Sequence, residues 1–265
     1  VLVDMSGAMN GWTLTQVEAG EYGSCALNTL GQVACWGSNF SGEAGNGDTV
    51  GSYQRVPLLV DTSANSALHD VRIESLSSSS EVYSTCAVTT IGRVACWGYG
   101  AYGQTGLNGT QDVYLPHFVE TGMTPMQNKR IVQVSVGSYH TCALDDTGAI
   151  YYWGDDTDGA LGRSTSDGVQ QNVPVAVDMT GALASLPAGT RVGSISVGND
   201  ASAPLPAGTR VGSISVGKLS VLALATPISL PTTGTDPTTP TLVALVLMTI
   251  GAGLLVLRRH RPAHR

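Results

Sequence analysis

The sequence predicts an all-β fold, a partial β-propeller of about three and a half four-stranded blades followed by a C-terminal hydrophobic helix. Three observations predict it. A hairpin-like stretch, CALNTLGQVACWG at 25–37, returns as CAVTTIGRVACWG at 86–98 and, altered, as CALDDTGAIYYWG at 142–154. Short apolar segments recur before and after each copy. From residue 241 the chain becomes one apolar run that ends in a basic tail. A repeat of this length marks a serial architecture.

Each copy reads as a β-hairpin. Short runs of β-branched, aromatic and small residues flank a turn holding Gly31, Gly92 or Gly148. Side chains alternate in a strand, so folding about Leu30 sets Cys25 opposite Cys35, and likewise Cys86 opposite Cys96. The third copy has Tyr152 at the partner position, which leaves Cys142 alone. Cross-strand disulfides are the expectation for the two pairs, and buried reduced cysteines are the alternative. Nine residues between cysteines with no nearby His is not a zinc spacing. The Trp36-Gly37, Trp97-Gly98 and Trp153-Gly154 pairs close the three hairpins and recur at two nearly equal steps along the chain.

The flanks supply the other two strands of each unit. QVEAG (16–20), RIESL (72–76) and QVSVG (133–137) precede the hairpins; VPLLV (56–60), LPHFV (115–119) and VPVAV (173–177) follow them. Four short strands per unit, in series, suggest blades stacked face to face. Blades covered on both faces explain why Val, Ala, Cys and Trp run together without polar alternation. The predicted repeats span 14–71, 72–129 and 130–190, with a partial fourth at 191–227, so that 1–227 is the propeller region. Val1–Ala8 aligns with Val175–Ala182, so the chain is expected to open inside a repeat, at what is elsewhere the last strand.

These residues carry a resemblance. The pattern V-x-x-G-x-x-x-x-C-A-L, then G-x-V-x-C-W-G, then G-x-x-G, resembles the repeat of the regulator-of-chromosome-condensation propeller family. His140–Leu144 is a close copy of its first half, and Gly42, Gly45, Gly103, Gly106, Gly159 and Gly162 match its loop glycines. The resemblance spans roughly residues 1–224. It implies a ring of seven blades, which three and a half cannot close, so further N-terminal repeats or partners would have to cover the ends. Members of the family include a nuclear nucleotide-exchange factor and secreted bacterial proteins that bind other proteins, so the resemblance leaves function open.

The fourth repeat is irregular. LPAGTRVGSISVG occurs at 186–198 and again at 205–217, an offset of 19 residues. The second copy runs on as GKLSVLAL (217–224), which overlays GSYHTCAL (137–144) without a gap. A 19-residue internal duplication would add an extra loop and strand or an irregular bulge.

Residues 228–265 differ in kind. Leu230, Pro231, Thr232, Thr233 and Gly234 are followed by a Thr/Pro/Asp spacer, an apolar span at 241–257 and a tail, RRHRPAHR, at 258–265. The span would cover about 25 Å as a helix, at the short end for crossing a bilayer. The arginines would hold its end on the cytoplasmic side. The arrangement resembles the cell-wall sorting signal of Gram-positive surface proteins. By that resemblance, a sortase cuts between Thr233 and Gly234 and joins Thr233 to peptidoglycan, so the membrane span is transient. Pro231 fixes its own φ and disfavours helix at Leu230, presenting the motif extended.

Charge narrows the partners. Net charge is −7, but the arginines of the tail offset a more acidic body: residues 1–233 carry 9 Lys/Arg and 19 Asp/Glu, a net of −10. Such a body repels a phosphate backbone, so no nucleic-acid partner is expected. Candidate chemistry is sparse. Asp155-Asp156-Thr157-Asp158-Gly159 lacks calcium-loop spacing and reads as a turn. His140 stands where the other repeats have Ser24, Ser84 and Ser220, which favours a structural role. Asn108-Gly109-Thr110 fits a glycosylation sequon that a Gram-positive surface would not use. No catalytic constellation, cofactor or metal site is expected. The expected function is a wall-anchored, non-catalytic module that binds a surface protein or glycan through the loops at 38–54, 99–114 and 155–172. An extracellular enzyme inhibitor, or the non-catalytic part of a larger surface enzyme, is the alternative.

Overall fold

The computed structural model describes residues 2–49, 51–79, 84–156, 169–177, 191–197 and 225–226. Three four-stranded antiparallel sheets follow one another along the chain. The first holds β1 (Leu14–Ala19), β2 (Gly23–Asn28), β3 (Val33–Ser38) and β4 (Tyr53–Leu59). The second holds β5 (Ile73–Ser78), β6 (Ser84–Thr89), β7 (Val94–Gly98) and β8 (Val113–Phe118). The third holds β9 (Ile131–Val136), β10 (His140–Asp145), β11 (Ile150–Gly154) and β12 (Gln171–Ala176). Neighbours in sequence are neighbours in the sheet, the meander of a propeller blade. A short pair, β13 (Arg191–Val192) and β14 (Ala225–Thr226), begins a fourth unit.

Local chemistry fixes the central hairpins. Cys25 pairs with Cys35, Cys86 with Cys96, and Cys142 with Tyr152. Disulfides join Cys25 to Cys35 and Cys86 to Cys96, and Cys142 is free and buried. One polar side chain organises each hairpin turn. Asn28 Oδ1 accepts the Leu30 and Gln32 amides, Thr89 Oγ1 accepts the Arg93 amide, and Asp145 Oδ1 accepts those of Thr147 and Ala149. Short polar side chains favour such turns because they stand in for a backbone acceptor. Beside each Trp the pairing to the outer strand slips, and the facing stretch of that strand holds Pro57, Pro116 or Pro174. A residue without an amide proton is tolerated there because the strand is an edge and the ladder is already broken.

The core lies between blades. One face of the first sheet (Cys25, Leu27, Val33, Cys35) packs on Ala87, Ala95 and Trp97 of the second. The equivalent face of the second (Cys86, Val88, Val94, Cys96) packs on Ala143, Tyr151 and Trp153 of the third. Cys142, Leu144, Ile150 and Tyr152 then meet Val192 and Ile195. The central strands β6, β7, β10 and β11 are therefore buried along their whole length, whereas β1 and β4 are largely exposed. Small Ala against large Trp and disulfide keeps the facing layers interlocked.

Residues 2–5, of which only Leu2 aligns in sequence with β12, at its last residue Ala176, belong to no sheet. No strand among the described residues is placed to pair with them. The segment instead folds through turns, and Met9 packs on Ala26 and Ala34 with Trp12 and Trp36 at the margin. Leu68 and Met126 occupy the matching position in the next two connections. The predicted C-terminal helix at 241–257, the motif Leu230–Gly234 and the tail at 258–265 lie outside the described residues. Among the described residues no helix is long and apolar enough to cross a membrane.

Candidate binding face

One end of the blades gathers two kinds of segment: the turns between first and second strands, and the long loops after each Trp-Gly pair. Backbone bonds tie them together. The Ser38 amide donates to the Tyr22 carbonyl at 2.8 Å, and the Asp155 amide to the Tyr139 carbonyl at 2.9 Å.

The first half of the first two loops serves packing. Gly42-Glu43-Ala44-Gly45 and Gly103-Gln104-Thr105-Gly106 are buried beneath the next blade. The Trp97 indole donates to the Glu43 carbonyl at 3.1 Å, and the Trp153 indole to the Gln104 carbonyl at 2.7 Å. Gly45 and Gly106 have φ of 61° and 69°, and a Cβ on either would stand 2.9 Å from the ring of that Trp. The recurring glycines are thus set by a left-handed turn and by close approach to an indole. Trp36 has no such acceptor among the described residues and is only partly buried.

What remains for contact is aromatic and acidic. Phe40 and Tyr53 are 52% and 65% exposed and meet edge to face at 5.1 Å. Tyr99, Tyr102 and Tyr139 form a row with ring centres 6.2 and 4.5 Å apart, bridging the second blade's loop to the third blade's turn. Glu21, Asp48, Asp112 and Asp155 lie on the same turns and loops, which hold no Lys or Arg among the described residues; Asp156 is buried beneath them. Burial, followed by the neighbouring Tyr102 and Asp112, raises the Tyr99 hydroxyl, so it stays a neutral donor. Rings with polar tips suit a surface that must be both apolar and hydrogen-bonding.

Two titratable groups among the described residues, His140 and Glu43, lie deeper in this end. His140 is 6% exposed, and burial lowers its pKa to about 4 although Asp155 and Asp156 pull the other way. Its ring faces Tyr152 at 6.3 Å between centres. Burial raises the Glu43 carboxyl, which accepts Ser38 Oγ and the Ser41 amide. Glu43 borders a cavity of about 30 Å³ with Tyr22, Trp36, Ser84 and Thr85, which is room for a water and not for a substrate. A larger groove of about 340 Å³ opens at the opposite end, between Leu30, Val33, Leu68 and Arg72, with Gln32, Thr62 and Asp70 also on its walls. Among the described residues no three metal-ligating side chains come together. Asn108 sits exposed in a left-handed turn at φ 58°. The acidic stretch from residue 157, and with it Gly159 and Gly162, lies outside the described residues.

The sequence reading placed contact on whole loops. The structure divides the first two, giving their glycine-flanked halves to packing. The ring residues were readable only in part: a Tyr recurs at 22, 83 and 139, ahead of each second strand, but the neighbours that join Tyr139 in a row do not repeat.

Comparison with known proteins identifies the repeats. The family model "Regulator of chromosome condensation (RCC1) repeat" matches residues 92–144, and a second model of the same description matches 14–43 and 131–160. The RCC1 domain-containing protein RUG3, mitochondrial, of Arabidopsis thaliana is 30% identical over 149 residues, 56% of this chain and 31% of that protein. The Ultraviolet-B receptor UVR8 of Arabidopsis thaliana is 31% identical over 156 residues, 59% of this chain and 32% of the receptor. The human E3 ubiquitin-protein ligase HERC2 is 28% identical over 170 residues, 64% of this chain but 3% of the ligase. Among solved structures, human WBSCR16 superposes with a TM-score of 0.61 at 20% identity, covering 81% of this chain and 46% of that one. Prp20p of Saccharomyces cerevisiae gives 0.56 at 19%, covering 70% and 42%. The chain thus spans a third or less of these sequence relatives, and under half of these structural neighbours.

Proposed function

From a chain that carries RCC1 repeats in propeller blades, we propose a non-catalytic binding module of a Gram-positive cell wall, which holds a surface protein or glycan on its loop end. The observation that carries the binding reading is the aromatic and acidic face built by the exposed Phe40 and Tyr53 and the half-buried row of Tyr99, Tyr102 and Tyr139. The relatives bear names as different as a receptor and a ubiquitin ligase, so the repeat is a scaffold on which the site decides function. Wall attachment rests on the sorting-type sequence: Leu230–Gly234, the apolar span and the arginine tail, with sortase and peptidoglycan as the partners that Thr233 would meet. Two disulfides suit the oxidising surroundings of an exported protein.

The test uses the surface rings and leaves the loop backbone alone, because removing Gly103–Gly106 would take away the carbonyl that holds Trp153. The labelled protein is applied to arrayed glycans and to a panel of extracellular-matrix proteins. Tyr99→Ser with Tyr102→Ser should weaken any saturable binding by about tenfold or more, the scale on which aromatic anchors act. Retained binding in the double variant, with an unchanged unfolding midpoint, would remove this face from the site.

A further inference from the structure

The fourth unit begins with a strand, Arg191–Val192, within a stretch whose sequence the chain carries twice. Residues 191–197 lie along the third blade, and their contacts are specific. The Ile195 amide donates to Gln133 Oε1 at 2.9 Å, and Gln133 Nε2 donates back to the Ile195 carbonyl. The Val197 amide donates to Ser135 Oγ at 2.7 Å. Val192 and Ile195 cover Cys142, Leu144, Ile150 and Tyr152. Gly137 leaves room for Val197, which a Cβ would meet head on. Every residue used here recurs 19 positions later: Arg210, Val211, Ile214 and Val216 repeat Arg191, Val192, Ile195 and Val197 within an identical stretch.

We propose that the two copies are alternative occupants of this one seat, so that the fourth unit exists in two strand registers. The pairing geometry makes the second register regular. In the first and third blades the first strand meets the second across one and the same interval of chain, Leu14 with Asn28 and Ile131 with Asp145. Val192 meets Ala225 across more than twice that interval. Val211 stands from Ala225 at the interval of the two regular blades. The connection from Val177 behaves in reverse, short to Arg191 and long to Arg210. Closure cost depends on loop length, and the exchange merely swaps the two lengths, so neither register is favoured on that account. Contacts with the third blade are the same for both. Exchange carries 19 residues from the turn at the loop end to the connection at the opposite end. Residues 205–217 lie outside the described residues; their sequence and the geometry of the seat carry the inference.

Cys142 reports on the seat. It is the one thiol left by two disulfides among five cysteines, and it lies 1% exposed under Val192 and Ile195. Alkylation of Cys142 is timed in the full chain and in Ile195→Asp, Ile214→Asp and the double variant, with circular dichroism to follow the remaining sheets. Either single change should leave the rate within about twofold of the parent, because the intact copy takes the seat; the double change should raise it tenfold or more. A fourth variant, lacking residues 186–204, keeps one copy, and in it Ile214→Asp alone should expose Cys142. Exposure by Ile195→Asp alone to the level of the double variant overturns the proposal. So does continued protection when the single-copy protein carries the Asp.

Discussion

Trp97 has two attachments, its buried ring and its indole proton on the Glu43 carbonyl. Trp97→Phe removes the proton and leaves part of the ring volume empty. The expected cost is about 2–3 kcal/mol, against less than about 1 kcal/mol for Trp36→Phe, whose ring is partly exposed and lacks that acceptor among the described residues. Urea unfolding of the two variants checks the difference. His140 supplies a pH-dependent contribution. Its folded pKa is lowered to about 4 by burial, below the ordinary 6.5. The unfolded chain therefore binds a proton through the window from 6.5 down to 4 while the folded chain does not. Stability is level above pH 6.5 and falls as pH drops through that window, by about 3 kcal/mol in all. His140→Ser, the residue of the other blades, should flatten this part of the profile. Denaturation midpoints between pH 4 and 7 read the effect, and an equally steep profile in the variant would assign it elsewhere.

At the scale of the element, the hairpin is the unit that local sequence specifies. Cysteines ten positions apart about a Gly turn determine which residues face, and each bridge spans that short loop. Replacing Cys86 and Cys96 with Ala should cost about 2–3 kcal/mol, the entropy of leaving so short a loop open in the unfolded chain. Chemical denaturation with and without the bridge measures it. The hairpins and Trp-Gly steps were legible because their determinants lie within a dozen residues. The blade contacts were not. That Gln16 would bond both the amide and the carbonyl of Leu76 could not be read from either segment, because the two meet only when blades stack. The same holds for the loop glycines, whose spacing was visible and whose reason, an indole from the following blade, was not. Nor could two identical stretches of sequence reveal that Val192 of the first pairs with Ala225.

For the whole molecule, serial packing means that each blade is completed by its neighbour. On the proposed reading, the acidic body and the aromatic loop end meet a surface protein or glycan, and the C-terminal sequence supplies the attachment. Thr233→Ala should leave the protein in the membrane fraction, since an uncut span keeps its hold. The parent should be freed by a peptidoglycan hydrolase and not by detergent alone. Cell fractionation distinguishes them, and detergent release of the parent with its arginine tail intact would replace the wall anchor with a membrane anchor. The composition of residues 228–265 made this proposal readable without any fold, because a sorting signal acts as an extended peptide. The ligand was not readable, because the rings that would touch it are assembled from separate blades.

The two disulfides have a further consequence through their position. Cys25, Cys35, Cys86 and Cys96 are at most 4% exposed, each pair covered by the blade that follows. Exchange requires a thiolate to reach sulfur along a clear line, so an assembled stack shields these bonds from reductant and oxidant alike. The oxidation state is then settled while the hairpins are still open and is sealed in when the next blade closes. The bridges preserve a record of the compartment in which the chain folded, whatever redox conditions it later meets.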